Sequence, residues 1–372
     1  MANVLCMVSY KIFPARFGGQ KGIAQFYEHL SRYEHLTCLT VRSNDPAAAP
    51  YDVLNRMGDG PLRYINIFYF FVCRKLVRRR GITCVIIEHP YLGWLALLLK
   101  RFCRVKLIVH SHNIEAERFK STGKWWWRIM RLYEQYVHRH ADFTFCKTDH
   151  DRNYFIQRYQ VAPDRVAVIT FGIPEEQPPA ATRRLQARRE LLVKHALPEE
   201  TVLYLFNGAL DYAPNLEAVL HIVEDINPLL ISKPLVYRIL ICGKGLPPSL
   251  DGLKKYADRN ILHAGFVDDI GLYLDGTDVF INPVTEGGGI KTKLVEALAH
   301  DLNAVSTVNG AQGIDPALCG DKLVLSGNDD WPTFSDHMYR MAGLKSTIPP
   351  GFFRHFNWDH IAKTAAAIID RS

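Results

Sequence analysis

The sequence predicts two doubly wound α/β domains, each built on a parallel β-sheet with helices on both faces. Apolar, β-branched runs of four to seven residues recur along the 372 residues, and a longer amphipathic stretch follows each run. Strands that alternate with helices form βαβ units, and strands that are apolar throughout are typical of parallel sheets. A polar stretch with Pro174, Pro178 and Pro179 separates two series of such runs and is the best candidate for a linker.

The predicted strands fall into two series. The first comprises Asn3–Ser9, Leu36–Val41, Cys84–Glu88, Lys106–His110, Phe143–Cys146 and Val166–Thr170. The second comprises Val202–Phe206, Tyr237–Cys242, Ile261–Gly265, Val279–Asn282, Asn303–Thr307 and Lys322–Leu325. Near the end of the chain, apolar residues at three- and four-residue spacing predict an amphipathic helix over Asn357–Ile369.

These elements predict the domain boundaries. We expect a first domain over residues 1–173 that is completed by the C-terminal helix 355–372, a linker and first helix over 174–198, and a second domain over 199–354. The two Rossmann-like domains would face each other across a cleft. Open α/β sheets bind ligands at the carboxyl ends of their strands, so the active site is expected in that cleft.

Composition narrows the class of protein. Apolar residues make up 48% and charged residues 22% of the chain, a globular balance that excludes disordered, collagenous and coiled-coil proteins. The longest strongly apolar stretch, Leu92–Leu99, is far shorter than the roughly 20 residues of a membrane-spanning helix. The amino terminus lacks the pattern of a signal peptide, so we expect a cytoplasmic protein. Eight cysteines without a C-x-x-C pair fit free thiols in a reducing compartment.

Positive charge is concentrated in the first half of the chain. Residues 1–180 hold 26 Lys and Arg against 15 Asp and Glu, whereas the remainder holds 19 against 23. This asymmetry predicts an acidic partner for the first domain. The basic cluster Arg74–Arg80 and the run Trp125-Trp126-Trp127-Arg128 favour peripheral contact with an anionic membrane, with the inner face of the cytoplasmic membrane as a candidate location. A solvated basic face with tryptophans packed in the core stays open as the alternative.

The segment most informative about function runs from Val279 to Thr307. A predicted strand ends at Asn282, a glycine loop follows, and a helix begins near Lys291. Glycines let the backbone approach an anion closely, and the N–H groups of the first helical turn favour phosphate. Lys291 and Lys293 add positive charge where the helix dipole disfavours it, so an anionic ligand is the simplest compensation. A tight turn without a ligand stays open as the alternative.

The whole segment resembles the hallmark of the nucleotide-sugar glycosyltransferases of family 4, which have the GT-B fold. The glycine loop, the pattern K-x-K and the run L-V-E-A-L-A carry this resemblance. Other segments match the family in the same order along the chain. They are Phe17-Gly18-Gly19, the stretch LIVHSHNIEAERF over residues 107–119, and the stretches that begin at Ala141, Leu205 and His263.

The resemblance implies transfer of a sugar from a nucleoside diphosphate to a glycan or a lipid-linked glycan, with retained anomeric configuration and without a metal or other cofactor. By matching position, His112 would lie beside the donor sugar as a catalytic residue, and Glu296 would hold the ribose. The remaining residues implied in donor binding are Gly18, Gly19, Gly208, Phe266, Val267, Gly287, Gly288, Gly289 and Ile290. Among these, Phe266 and Val267 would bracket the base with their main chain.

The sequence departs from the family pattern at two places. Many members carry two glutamates eight residues apart, but here Gly288 stands eight residues before Glu296, and Glu286 is displaced by two. Glu286 is therefore the candidate for the acid that faces the sugar. Many members also carry an arginine and a lysine after the first strand of the second domain, where this chain has Ala209 and Pro214.

Expulsion of a diphosphate requires stabilisation of the charge that develops on it. We therefore expect Lys291 to supply this stabilisation as a catalytic residue, together with Lys293. Two other functions stay open: a sugar-nucleotide 2-epimerase on a similar fold, and a catalytically silent subunit that binds a nucleotide-sugar or a glycan. No recognised motif supports nucleic-acid binding.

Histidine and aspartate pairs give further predictions. His110 and His112 alternate on a strand and would share a face, but no third metal ligand is visible in the sequence, so a metal site is disfavoured. His138 and His140 are expected on a helix surface. The pair Asp268-Asp269 is expected to cap the helix that follows it rather than to bind a metal.

Overall fold

The computed structural model describes residues 1–15, 18–47 and 49–371. The chain divides into two compact units. The first comprises Met1–Pro174, Gly288–Ile290 and His355–Ser372, and the second comprises Glu175–Gly287 and Lys291–Arg354. Each unit contains its own parallel sheet, which confirms the predicted pair of parallel-sheet α/β domains.

The first unit is built on a seven-stranded sheet in the order β3-β2-β1-β4-β5-β6-β7. All its strand pairs are parallel. The strands are β1 (Asn3–Met7), β2 (His35–Val41), β3 (Asp52–Met57), β4 (Cys84–Glu88), β5 (Lys106–His110), β6 (Phe143–Cys146) and β7 (Val166–Val168). The helices between them are α1 (Gly18–Leu30), α2 (Phe68–Arg80), α3 (Gly93–Cys103), α4 (Glu115–Ser121), α5 (Trp127–His140) and α6 (Asp149–Gln157).

The second unit is built on a six-stranded parallel sheet in the order β10-β9-β8-β11-β12-β13. Its strands are β8 (Val202–Asn207), β9 (Tyr237–Cys242), β10 (Ile261–Gly265), β11 (Val279–Asn282), β12 (Asn303–Thr307) and β13 (Leu323–Ser326). Its helices are α7 (Ala181–Lys194), α8 (Ala213–His221), α9 (Asn227–Leu230), α10 (Ile270–Gly276), α11 (Thr292–Ala299), α12 (Trp331–Ala342) and α13 (Pro350–Phe356), the last reaching the boundary between the units.

Strand β3 is absent from the predicted strands. Its sequence, DVLNRM, mixes polar and apolar residues, and only Met57 in it is fully buried. An edge strand pairs on one side and needs no continuous apolar run, so its sequence lacks the signal that marks the central strands.

Each sheet has a point where the chain reverses the direction of strand addition. In the first sheet β1 lies beside β4, and in the second β8 lies beside β11. Loops that leave two such strands diverge to opposite faces, which opens a crevice at the carboxyl ends. The crevice of the second unit lies at the residues that follow Asn207 and Asn282.

The C-terminal helix α14 (Trp358–Asp370) packs on α1 within the first unit. Trp358 is fully buried, and its ring meets Phe171 edge-on at 5.5 Å between centroids. The Tyr33 hydroxyl donates to the Asp359 carboxylate at 2.7 Å. The last helix of the chain is therefore part of the first sheet domain.

The predictions for histidine and aspartate have mixed outcomes. The surface position predicted for His138 is wrong, because its ring is fully buried and hydrogen-bonds Thr144 Oγ1 at 2.9 Å. Its neighbour two residues on, His140, is exposed as predicted. Asp269 caps α10 by accepting from the Leu272 N–H, which confirms the predicted cap.

Within the described ranges, no helix is both long and apolar enough to cross a membrane. The eight cysteines are free thiols, as predicted.

Candidate functional site

The carboxyl edge of the second sheet is held together by close backbone contacts between loops. The Gly243 N–H donates to the Gly265 carbonyl at 2.7 Å, and the Gly208 N–H donates to the Cys242 carbonyl at 3.0 Å. A Cβ at Gly243 would lie 1.9 Å from the Gly208 carbonyl oxygen. Only glycine fits there, so Gly243 permits the close approach of the two loops.

The glycine loop follows β11 at the crevice. Asn282, at the end of that strand, is buried and donates to the Gly310 carbonyl at 2.8 Å, which fixes the start of the loop. Gly287 and Gly289 have φ values of +88° and +71°, in the left-handed region that favours glycine. A Cβ at Gly287 would lie 3.4 Å from the Tyr212 hydroxyl, so the loops after β8 and β11 lie against each other.

Two lysines stand at the amino terminus of α11. Lys291 is its N-cap residue, and its Nζ donates to the Gly287 carbonyl at 2.5 Å. Lys293, in the first turn, donates to Asn215 Oδ1 at 3.0 Å, and its Nζ lies 4.2 Å from the centroid of the Phe206 ring. No acidic residue is present in the first turn of α11. Positive charge at a helix amino terminus is unfavourable, so this arrangement is suited to an anionic ligand.

Lys293 also has an unusual protonation equilibrium. Burial, and then the positive charge of Lys291, lower its pKa to about 7. Its contacts with Asn215 and Phe206 are contacts with neutral groups, which do little to offset the cost of burying an ammonium group. An anion beside Lys293 would stabilise its charged form.

Lys293 reaches the segment around Ala209 and Pro214, where the resemblance implies an arginine and a lysine that this chain lacks. Phe206 precedes Ala209 by three residues, and Asn215 directly follows Pro214. Asn215 also donates to the Ala209 carbonyl at 2.9 Å. The structure therefore brings one ammonium group from α11 to the loop that lacks the expected arginine and lysine.

The other predicted residues of the second unit lie around the same edge. Glu296 is half-buried on α11, one turn beyond Lys293, and Glu286 is exposed in the glycine loop. Phe266 and Val267 follow β10 at the far side of the sheet, and the Phe266 side chain is 68% exposed. An exposed aromatic ring at a strand's carboxyl end is available to a planar ligand.

The first unit carries Gly18 and Gly19 at the start of α1, the helix that follows β1. A Cβ at Gly19 would meet nothing within 4 Å, so the space beside this backbone is open. Phe17, which precedes them in the family-like motif, lies outside the described residues.

His112 belongs to a buried cluster centred on Glu88, the last residue of β4. Glu88 Oε2 accepts from His112 Nε2 at 2.5 Å, and Glu88 Oε1 lies 3.0 Å from His110 Nδ1. The Tyr27 hydroxyl donates to the same Oε1 at 2.5 Å. Glu88 is fully buried and holds both histidines in place because β4 and β5 are adjacent strands.

The charges in this cluster follow from burial and hydrogen bonding. Burial would raise the pKa of Glu88, but the His110 and His112 rings that hydrogen-bond its carboxylate hold this pKa well below its ordinary value. Burial lowers the pKa of His112 to about 3 despite the Glu88 carboxylate. Both histidines are therefore neutral near pH 7 and donate to an ionised carboxylate. With its proton on Nε2, His112 keeps an unprotonated Nδ1 that can accept a hydrogen bond.

The same three side chains form a group that could hold a metal ion, with ligand atoms within 4.8 Å of one another. The sequence shows no third ligand beside the two histidines, and Glu88, from the neighbouring strand β4, is that third group. Its two carboxylate oxygens already accept hydrogen bonds from His110, His112 and Tyr27, which satisfies a buried carboxylate without a cation.

A second carboxylate cluster stands next to the first. His89 Nδ1 lies 2.9 Å from Glu115 Oε1, and the His89 and His112 rings stack at 4.8 Å between centroids. Arg118 donates from Nε to Glu115 at 2.8 Å. Burial raises the pKa of Glu115, but His89 and Arg118 outweigh it and lower this pKa to about 2.

These polar groups form one wall of a cavity of about 740 Å³ in the first unit. We call it the aromatic cavity. Its lining is Tyr10, Tyr64, His89, Tyr91, Asn113, Glu115, Arg118, Phe119, Trp126, Met130 and Tyr133. Aromatic faces beside a few fixed polar groups are the usual lining of a site for a ring-shaped polar ligand.

Glu88, His89 and Arg118 are not among the site residues predicted from the sequence. A weak signal was present for Glu88, because a charged residue ends the otherwise apolar strand CVIIE. Lys147 likewise directly follows β6 and is buried, with its Nζ 3.0 Å from the Ile169 carbonyl. Charged residues at the carboxyl ends of buried parallel strands mark ligand edges, and this pattern identifies both.

Two family models match the chain in separate segments. The model described as Glycosyltransferase Family 4 matches residues 18–177, and the model described as Glycosyl transferases group 1 matches residues 201–342. A curated protein of Klebsiella pneumoniae, described as an uncharacterized 44.6 kDa protein in the cps region, is 25% identical over 166 residues. That match spans 42% of this chain and 42% of the relative's own length.

Solved structures resemble the chain over its whole length. Sucrose-phosphate synthase from Thermosynechococcus elongatus is 16% identical, with a TM-score of 0.72 over 99% of this chain and 98% of its own. HepE of Anabaena, in complex with UDP-glucose, is 13% identical, with a TM-score of 0.70 over 100% of both chains. The catalytic domain of starch synthase IV from Arabidopsis thaliana, bound to ADP and acarbose, is 10% identical, with a TM-score of 0.70 over 100% of this chain and 99% of its own.

Proposed function

Because this chain belongs to the glycosyltransferases with the GT-B fold, we propose that it transfers a sugar from a nucleoside diphosphate to a glycan or a lipid-linked glycan. We further propose that transfer retains the anomeric configuration and needs no metal. The observation that carries the proposal is the pair Lys291 and Lys293 at the amino terminus of α11, beside the glycine loop.

The donor diphosphate accounts for this pair of lysines. A diphosphate gains negative charge as its bond to the sugar breaks, and preorganised cations and N–H groups stabilise that charge. Lys291 and Lys293 supply the cations, and the backbone of Gly18, Gly19, Gly208 and the loop Gly287–Ile290 supplies close main-chain contacts to the donor. Solved structures of the same fold with UDP-glucose and with ADP support a nucleotide donor.

The rest of the donor is assigned to residues at the same edges. Glu296 holds the ribose, and the main chain at Phe266 and Val267 brackets the base. Glu286 faces the sugar. His112 accepts a hydrogen bond from a sugar hydroxyl at its unprotonated Nδ1, since its Nε2 proton is engaged by Glu88.

The proposed chemical step needs no protein nucleophile. The acceptor hydroxyl attacks the anomeric carbon from the face that the diphosphate leaves, so one C–O bond forms as the bond to the phosphate oxygen breaks. The proton of that hydroxyl passes to the departing diphosphate. The protein therefore contributes position and charge rather than a covalent intermediate.

We assign the acceptor to the aromatic cavity. The rings of Trp126 and Phe119 lie 4.3 Å apart between centroids with their planes tilted by 48°. Aromatic faces of this kind can pack against the apolar face of a sugar ring. Glu115 and Arg118 offer an acceptor and donors of hydrogen bonds at the same wall. A lipid-linked acceptor would be presented at a membrane, so contact with an anionic membrane forms part of this proposal.

An assay of nucleoside diphosphate release tests the function. The purified chain is incubated with UDP-sugars and ADP-sugars, with and without glycan acceptors and with EDTA. We expect release that depends on acceptor and survives EDTA, and a product whose anomeric configuration by NMR equals that of the donor. Donor binding without turnover over every acceptor would instead indicate a silent subunit. Release without acceptor, accompanied by an epimerised sugar, would indicate an epimerase.

The acceptor assignment has its own test. Replacing Trp126 by Leu should raise the KM for a soluble acceptor about tenfold, because one aromatic contact is lost, and should leave the KM for the donor unchanged. Trp125 is the matched control, since it is the neighbouring tryptophan, is 83% exposed and does not line the cavity. Equal KM values for the W126L and W125L variants would contradict the assignment.

A further inference from the structure

His89 has a backbone conformation that residues other than glycine rarely adopt. It directly follows β4 and has a φ of +61° and a ψ of +164°. Arg104 and Asn260 also have positive φ, but their ψ values of 35° and 16° place them in the left-handed region that commonly closes a helix. A positive φ with an extended ψ is essentially restricted to glycine. Strain of this kind persists where the surrounding structure holds it, and it is concentrated at functional sites.

Two features of the main chain hold His89 in this conformation. Its N–H donates to the His110 carbonyl at 3.0 Å, which continues the pairing of β4 with β5 by one residue. Pro90 follows, and a proline disfavours helical ψ values in the residue before it. Neither feature involves the imidazole, and glycine would adopt the same backbone without strain. The reason for a histidine at this position therefore lies in its side chain.

The imidazole of His89 is fixed by its neighbours. Its Nδ1 lies 2.9 Å from Glu115 Oε1, and the side chain is 11% exposed. The ring stacks on the rings of Tyr91 and His112, with 5.5 and 4.8 Å between centroids. A carboxylate beside Nδ1 favours the tautomer that carries its proton on that nitrogen. Nε2 is then unprotonated and can accept a hydrogen bond.

His89 and Tyr10 both line the aromatic cavity. His89 Nε2 and the Tyr10 hydroxyl lie 3.3 Å apart, which is long for a hydrogen bond from a hydroxyl. Burial raises the pKa of Tyr10 well above its ordinary value, so this hydroxyl keeps its proton. The cavity wall thus carries an acceptor and a donor side by side. A sugar hydroxyl, which both donates and accepts, complements such a pair.

We propose that His89 determines which hydroxyl of the acceptor sugar reacts. Its Nε2 accepts a hydrogen bond from a neighbouring hydroxyl of that sugar, and Tyr10 donates to the same hydroxyl. The bound hydroxyl is not the attacking one, so the proton of the attacking hydroxyl still passes to the departing diphosphate. His89 stacks on His112, the residue assigned to the donor sugar, so the bound hydroxyl sets how the acceptor ring faces that residue. This inference rests on the proposed function, because it takes the aromatic cavity as the acceptor site.

Binding of simple glycosides tests the proposal without requiring transfer. The probes are methyl α-glucoside, methyl α-galactoside and methyl α-mannoside, and the analogues of each that lack one hydroxyl. NMR titration of the full chain gives each Kd. We expect one glycoside to lose about tenfold in affinity when a particular hydroxyl is removed, because one hydrogen bond is lost. The same removal should change the Kd of the H89A variant less than about twofold, since the partner of that hydroxyl is already absent.

Further variants separate the ring from the backbone. H89G also lacks the imidazole and should also lose the discrimination between a glycoside and its deoxy analogue. It should nevertheless unfold at a higher urea concentration than H89A, because glycine adopts this backbone without strain. H89Q places an amide near the position of Nε2 and should recover part of the discrimination. His140, which is exposed and does not line the cavity, supplies the control H140A, which should bind as the unaltered protein does.

Three results would overturn the proposal. They are equal discrimination by H89A and the unaltered protein, absence of binding by every glycoside, and equal urea midpoints for H89A and H89G, which would remove the strain on which the inference rests.

The specificity and the proposed function can fail separately. In a transfer assay, NMR of the product should show one linkage for the unaltered protein and two or more for H89A, with the donor KM unchanged. A single linkage in the H89A product would overturn the specificity and leave the transfer intact. Discrimination between glycosides that H89A abolishes, without transfer in any assay, would disprove the function and leave the His89 site intact.

Discussion

Lys293 donates to Asn215 at 3.0 Å and so crosses from α11 to the start of α8, where no lysine or arginine of that loop is present. Lys293 thereby brings a cation from the helix to a segment that has none of its own. The consequence is a cation whose pKa is about 7, lowered by burial and by Lys291. Lys293 therefore changes charge close to physiological pH, which an arginine in the loop would not.

The pH dependence of turnover should report this lysine. Lys293 is positively charged below its pKa and neutral above it, so kcat/KM for the donor should fall as the pH rises through about 7. In the K293R variant the side chain stays charged, and the fall above pH 7 should disappear. A profile of kcat/KM against pH for both proteins provides the measurement. An unaltered protein whose kcat/KM stays level from pH 7 to the onset of alkaline unfolding would contradict a role for this charge.

Replacement of Lys291 by Ala should lower kcat at least about 100-fold, because one preorganised contact to the leaving diphosphate is lost. Steady-state kinetics at saturating donor measures the effect. Lys254 is a suitable control, since its Nζ forms an exposed ion pair with Asp251 at 3.0 Å in the same unit. Retained turnover in K291A, or an equal loss in K254A, would reject the role of Lys291.

Glu88 should act as a positioning residue for His112. In the E88Q variant the amide nitrogen cannot accept a hydrogen bond, so one of the three donors around Glu88 loses its partner. We expect kcat to fall at least about tenfold with little change in the donor KM, and the free energy of unfolding to fall by about 1–3 kcal/mol. Enzyme kinetics and urea unfolding measure the two effects. Glu28, exposed on α1, supplies the control variant E28Q.

A stability loss in E88Q without any change in kcat would show that the cluster is only structural. If kcat and the free energy of unfolding fall equally in E88Q and in the control E28Q, the effect is a general one of removing a carboxylate from this unit.

Trp358 should anchor the last helix of the chain. Its side chain is fully buried between Phe171 and Phe26, with ring centroids 5.5 and 6.5 Å away. Its replacement by Ala should lower the free energy of unfolding by about 3–5 kcal/mol, as for other buried tryptophans. The W125A variant should change it by less than about 0.5 kcal/mol, since Trp125 is 83% exposed. Chemical denaturation measures the free energy of unfolding of both variants, and an equal decrease in the two would refute the anchoring role.

The sequence by itself determined the two series of strands, the glycine loop and the start of α11. Strands such as Cys84–Glu88 and Val279–Asn282 have the predicted bounds, because a strand buried on both faces is apolar along most of its length and these two end at their first polar residue, Glu88 or Asn282. The left-handed conformations of Gly287 and Gly289 likewise depend on local residue type, because glycine adopts a positive φ without steric cost. Family resemblance rests on the same local runs.

Only the tertiary structure decided which polar groups meet. Glu88 and His112 are 24 residues apart and touch because β4 and β5 are neighbours in the sheet, which no local periodicity records. Burial of His138 and the contact of Lys293 with Asn215 depend in the same way on packing between distant elements.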